Sequence, residues 1–119
     1  MNHVSLYGQL AADPRTIERP VGPPLTLLRI AVRRARPGRE HASADFVTVE
    51  SWGALASVAA NELTIGQPVA ITGRLRQRLR SDEHGTKTDR LTIVADWIDF
   101  PPRRMTQTPA VPATAPIAA

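Results

Sequence analysis

Residues 45–66 read DFVTVESWGALASVAANELTIG, and within that stretch the spacing of apolar residues changes. Up to Trp52, Val47 and Val49 alternate with Phe46, Thr48, Glu50 and Trp52, the period of two that marks a half-buried strand. Beyond it, Leu55, Val58, Ala59 and Leu63 fall at helical spacing, with Gly66 just past them as a stop signal. The stretch predicts a strand that runs directly into a helix over residues 54–63, the one convincing helix in the chain.

On the N-terminal side, Val4, Leu6, Gly8 and Leu10 share one parity, and Leu28, Ile30 and Val32 set the parity of a second strand. Turn signals at Asp13-Pro14 and at residues 20–24 bracket the connection between them, Pro37-Gly38 ends the second strand, and residues 39–44 read as a polar loop. On the C-terminal side a fourth strand follows Pro68, with Val69, Ile71, Gly73, Leu75 and Leu79 on one parity and Arg74, Arg76, Arg78 and Arg80 on the other. A hairpin loop at residues 81–85 leads into a fifth strand over about residues 89–98. Three strands, a helix and two strands in about a hundred residues is the order of an all-β, five-stranded Greek-key barrel, the OB-fold, with its helix between strands three and four. A five-strand sandwich fragment is the alternative.

The chain has 119 residues, enough for one domain. Its 42% hydrophobic and 22% charged content is that of a globular protein. Residues 101–119 hold five prolines, five alanines and no acid, so a domain over residues 1–100 and a disordered, flexible tail over 101–119 are expected. No long apolar run or signal peptide is present, and there is no cysteine, which excludes disulfide frameworks and thiolate metal sites and leaves a cytoplasmic protein as the expectation. Fifteen cations against eleven acids give a net charge of +4, and Lys87 is the one cation that is not arginine. Arginine forks onto phosphate and stacks on flat rings, so a polyanionic partner is the first hypothesis.

Position sharpens it. Side chains alternate faces along a strand, so the outer surface of the barrel carries Arg29, Ala31 and Arg33 on strand two, Phe46, Thr48, Glu50 and Trp52 on strand three, and the four even-numbered arginines on strand four. Aromatic rings interleaved with cations are what single-stranded nucleic acid requires, because unpaired bases stack on rings while guanidinium groups meet phosphates. The structural alternatives are a Trp52 tucked under the helix as core, a Phe46 covering a subunit interface, and an arginine row that guards a sheet edge. Trp97 reads as an interface or core residue, and Leu25, Leu27 and Tyr7 as an apolar outer patch that favours a symmetric oligomer.

An enzyme reading finds little support: His3, His41 and His84 are scattered, no phosphate-cradling or nucleophile-elbow motif occurs, and Asp82, Glu83 and Asp89 sit at a hairpin loop where solvated charge is commonplace. No catalytic residue, metal ligand or cofactor is expected.

The same residues carry a likeness. Asn2-x-Val4-x-Leu6-x-Gly8-x-Leu10-x-x-Asp13-Pro14, Ala31-Val32, Phe46-x-x-Val49-x-x-Trp52-Gly53-x-x-Ala56 and Gly66-x-x-Val69-x-Ile71-x-Gly73-x-Leu75 resemble the bacterial single-stranded DNA-binding proteins over about residues 2–100. The resemblance implies an OB-fold homotetramer that binds single-stranded DNA without sequence preference in replication, recombination and repair, with Phe46 and Trp52 as base-stacking aromatics. Further family aromatics late in strand two and on strand four are replaced here by Arg33-Arg34-Ala35-Arg36 and by Leu79-Arg80, a thinner stacking platform with more charge. The chain ends PATAPIAA in place of the acidic tip of the housekeeping members, which implies an auxiliary paralogue. The expected DNA contacts are Arg29, Arg33, Arg34, Arg36, Phe46, Trp52, Arg74, Arg76, Arg78, Arg80, Lys87 and Arg90. The alternative is an accessory OB module, acting in a primosome or with a full-length paralogue, that binds DNA weakly.

Overall fold

A computed structural model of the protein describes residues 1–34 and 43–101, with Arg80 described by its backbone alone. The expected tail, the loop around Pro37-Gly38 and Arg36 lie outside the described residues. Strands β1 (Val4–Leu10), β2 (Arg15–Ile17), β3 (Leu25–Arg34), β4 (Ser43–Trp52), β5 (Pro68–Ser81) and β6 (Lys87–Asp99) and the helix α1 (Ala54–Glu62) follow in the order the periodicity predicts, with one addition. The addition is β2, a three-residue strand inside the expected connection, which pairs Arg15 to Leu27 and Ile17 to Leu25. It is too short to leave a periodic signal of its own.

The strands run in the order β1-β5-β6-β4-β3, and β1 returns to β3 through Gln9↔Ala31 and Leu10↔Ile30, closing a five-strand barrel with β2 annexed to the free stretch of β3. Closure also depends on a parallel contact between β4 and β6, Val49↔Ile93 and Glu50↔Val94. Leu10, Leu28, Ile30, Val49, Val69, Ile71, Ile93, Ala95 and Ile98 fill the interior. Those on β1, β3, β4 and β5 have the parity read from sequence. Ile98 does not, because a register shift in β6 opposite Thr72/Gly73 makes Asp96 an extra residue. The bulge turns Ile98 inward and leaves Trp97 62% exposed, so a core role for Trp97 is excluded.

Strand β4 becomes helix α1 within one residue. Gly53 takes φ 67°, a conformation that a side chain disfavours, while its N–H donates to the Pro24 carbonyl at 3.0 Å. The helix buries Ala56, Ala59 and the following Leu63 against the barrel. Small side chains allow a close approach, and the Thr26 hydroxyl donates to the Ala56 carbonyl at 3.0 Å. Trp52 is thereby the last residue of its strand, with Gly53 alone between it and the helix.

A candidate single-strand interface

Two contiguous hollows lie on the barrel wall where β2, β3 and β4 face the long β5–β6 hairpin. The larger, of about 910 Å³, has Trp52 on its wall, Ile17, Leu25 and Leu27 as apolar lining, and Arg15, Arg19, Arg76, Arg78 and Arg90 around it. The smaller, about 530 Å³, is built around Phe46 with Arg29, Leu75 and Leu91. Thr48 and Arg90 belong to both, so the two form one trough along β4.

The rings are presented as the outer parity predicts. Phe46 is 56% exposed and has the Arg29 guanidinium 5.7 Å from its centroid, and the same guanidinium donates to the Thr48 hydroxyl at 2.9 Å. Trp52 is half-buried; Arg19 stands 4.8 Å over its ring, and its indole Nε1 donates to Glu50 Oε1 at 3.0 Å. Arg19 in turn donates to the Pro23 carbonyl at 3.1 Å, so the proline-rich connection holds this cation over the ring. Such ring–guanidinium pairs are ready-made stacking surfaces, since a base can lie on either partner.

The arginine row of β5 is not uniform. Arg74 pairs with Asp96 at 2.7 Å. Arg78 makes a bidentate pair with Glu50, Nε to Oε2 and Nη2 to Oε1, each 2.7 Å. Arg76 is exposed and, among the described residues, has no protein partner; the same holds for Arg33, Lys87 and Arg90. Arg34 pairs with Asp45 on the opposite parity from Phe46, so it leaves the other face of the β3–β4 ribbon. The Arg80 side chain is not among the described ones. Of the expected contacts, then, Arg29, Phe46, Trp52, Arg76, Arg78 and Arg90 come together in the trough. Arg33 and Lys87 lie at strand ends, and Arg34 and Arg74 are occupied by acids.

Glu50, expected on the outer face beside the two rings, is buried. Arg78 holds its carboxyl below the ordinary glutamate value, helped by Trp52 and Thr92, whereas burial pushes the other way. The group therefore stays ionised at neutral pH, with its charge met by Arg78. Leu25 and Leu27 stand on the outer parity as expected, opposite Trp52 and Glu50 on β4, and are half-buried as part of the trough lining. Arg15 and Arg19 escaped the sequence reading; the only signal was a short alternation, Arg15-Thr16-Ile17, between two proline-marked turns.

A family profile described as the Single-strand binding protein family matches residues 1–101. The chain is 34% identical over 101 residues to a single-stranded DNA-binding protein of Clostridium tetani, covering 84% of this chain and 70% of that protein. It is 31% identical over 101 residues to "Single-stranded DNA-binding protein 3" of Clostridium acetobutylicum, with 84% and 70% covered. A third relative, the single-stranded DNA-binding protein of Thermotoga maritima, is 31% identical over 112 residues, with 90% and 78% covered.

Proposed function

We propose that this chain, which belongs to the single-strand binding protein family and binds single-stranded DNA as a non-enzymatic protein, does so by laying the strand along the β4 trough with bases on Phe46 and Trp52. The observation that carries the reading is the position of both rings on the outer parity of one strand, in hollows walled by guanidinium groups. Rings recognise any base, so binding is tolerant of sequence, and Arg29, Arg76 and Arg90 meet phosphates. Its settings are those typical of the family: replication, recombination and repair.

In a competition experiment, single strands are expected to displace duplex of equal length, because pairing hides the base faces. Equal affinity overturns the stacking reading and leaves a generic polyanion site.

The reading includes assembly as a homotetramer. Tyr7 (57% exposed) and Trp97 (62% exposed) lie on one face of the β1–β5–β6 sheet, opposite the core, in the adjacent rows Tyr7↔Ala70↔Asp99 and Ser5↔Thr72↔Trp97. Two large exposed rings on one sheet face suit a subunit contact better than solvent. Light scattering at micromolar concentration is expected to give four times the 13.0 kDa chain mass, and a mass of one chain overturns the assembly.

A further inference from the structure

Glu50 stands in a surface otherwise shaped for a polyanion, yet its side chain is only 3% exposed. Four donors converge on it. Arg78 supplies two, at 2.7 Å each; the Trp52 indole gives one to Oε1 at 3.0 Å; the Thr92 hydroxyl gives one to Oε2 at 3.1 Å. Each oxygen thus accepts two bonds, which fills the lone pairs of a carboxylate. The group joins side chains from β4, β5 and β6 at the place where the barrel is closed by only two parallel pairs.

A carboxylate in a barrel wall is costly unless fully paired. What it supplies here is orientation: an indole has two side-chain torsions, and an Nε1–H bond to a fixed acceptor sets the ring plane. Arg78 is bound by the same logic. Drawing its fork away to a mobile, hydrated phosphate would leave Glu50 ionised and buried, so a phosphate competes poorly for it. Arg76, one pair along the strand, carries no such obligation.

We propose that Glu50 and Arg78 are a positioning pair for single-strand binding: the carboxylate fixes the Trp52 ring in the orientation that receives a base, and Arg78 holds the carboxylate instead of a phosphate. This rests on the reading of Trp52 as a stacking surface. It divides an arginine row that looks equivalent in sequence into a phosphate contact, Arg76, and a structural counter-ion, Arg78.

The test uses the full chain carrying Trp97→Phe, so that Trp52 is the sole tryptophan, titrated with oligo-dT at several salt concentrations. Arg76→Gln is expected to flatten the log–log salt slope by about 0.7, the contribution of one phosphate, and to leave the quenching of Trp52 by DNA intact. Arg78→Gln is expected to do the opposite: an unchanged slope, weaker quenching and about a tenfold loss of affinity, part of the contribution of one stacked base. Should Arg78→Gln fail to fold, Glu50→Gln/Arg78→Gln removes the buried charge along with its partner; it is expected to fold and to keep the parental slope. An Arg78 variant that flattens the slope like Arg76→Gln while quenching is retained overturns the proposal. Failure of the underlying reading looks different: Trp52→Ala, which has no tryptophan left in this background and is therefore followed by the anisotropy of end-labelled oligo-dT, would bind as tightly as the parent, whatever the slopes of the two arginine variants.

Discussion

Replacing both Phe46 and Trp52 by alanine is expected to weaken binding of oligo-dT by about 2–6 kcal/mol, from about thirtyfold to more than ten-thousandfold. Each ring is assigned about 1–3 kcal/mol of base stacking. The two stand six residues apart on β4, about 20 Å by the rise of a strand, so their contributions should add. The salt dependence of binding should hardly change, because no phosphate contact is removed. The two single variants are expected to differ in a second measurement. Phe46 is largely exposed and its loss should leave thermal stability near that of the parent, whereas loss of Trp52 removes one of the four donors to buried Glu50 and should lower stability as well. Affinities must therefore be referred to the folded fraction. A doubly substituted protein within threefold of the parent would mean that arginines alone hold the strand.

Gly8→Ala is expected to destabilise the barrel by about 3 kcal/mol, the upper end of the overpacking range, which for a domain of this size lowers Tm by roughly 12–24 °C. A β-carbon on Gly8 would overlap the Ala31 carbonyl oxygen and lie 2.8 Å from the Ile30 side chain. The obstacle is backbone, and it belongs to β3 where β1 closes the barrel by only two residue pairs, so relief requires opening the seam. Gly73, whose β-carbon would overlap the Val94 carbonyl oxygen at the β6 bulge, should behave similarly. The control is Gly85→Ala at the hairpin tip: nothing lies within 4 Å there, and only the positive φ of 77° opposes a side chain, at about 1–2 kcal/mol. Thermal unfolding followed by circular dichroism separates these cases. Equal Tm values for Gly8→Ala and Gly85→Ala would show that the seam is not tightly packed.

Both results bear on how far this protein can be read from its residues. Alternation along a strand is a local property, and so is the change to helical spacing after Trp52. The barrel's element order, the helix between β4 and β5, and the display of Phe46, Trp52, Arg74, Arg76 and Arg78 on one face of their strands were therefore legible from spacing alone. Partnership between strands is not local. Glu50 and Arg78 are 28 residues apart, and nothing in either neighbourhood says that one neutralises the other; the pair exists because β4 meets β6 in parallel and β6 sets the register of β5. The same holds for Asp96, which takes Arg74 out of the row, and for the bulge that sends Trp97 outward and Ile98 inward. It holds again for β2, whose pairing with β3 sets Ile17 beside Leu25 and Leu27 in the lining of the trough and brings Arg15 and Arg19 to Trp52. Periodicity determines which face of its own strand a side chain occupies. Only the closed barrel decides what stands opposite that face, because the opposing groups come from distant segments whose register depends on a bulge and on two short seams.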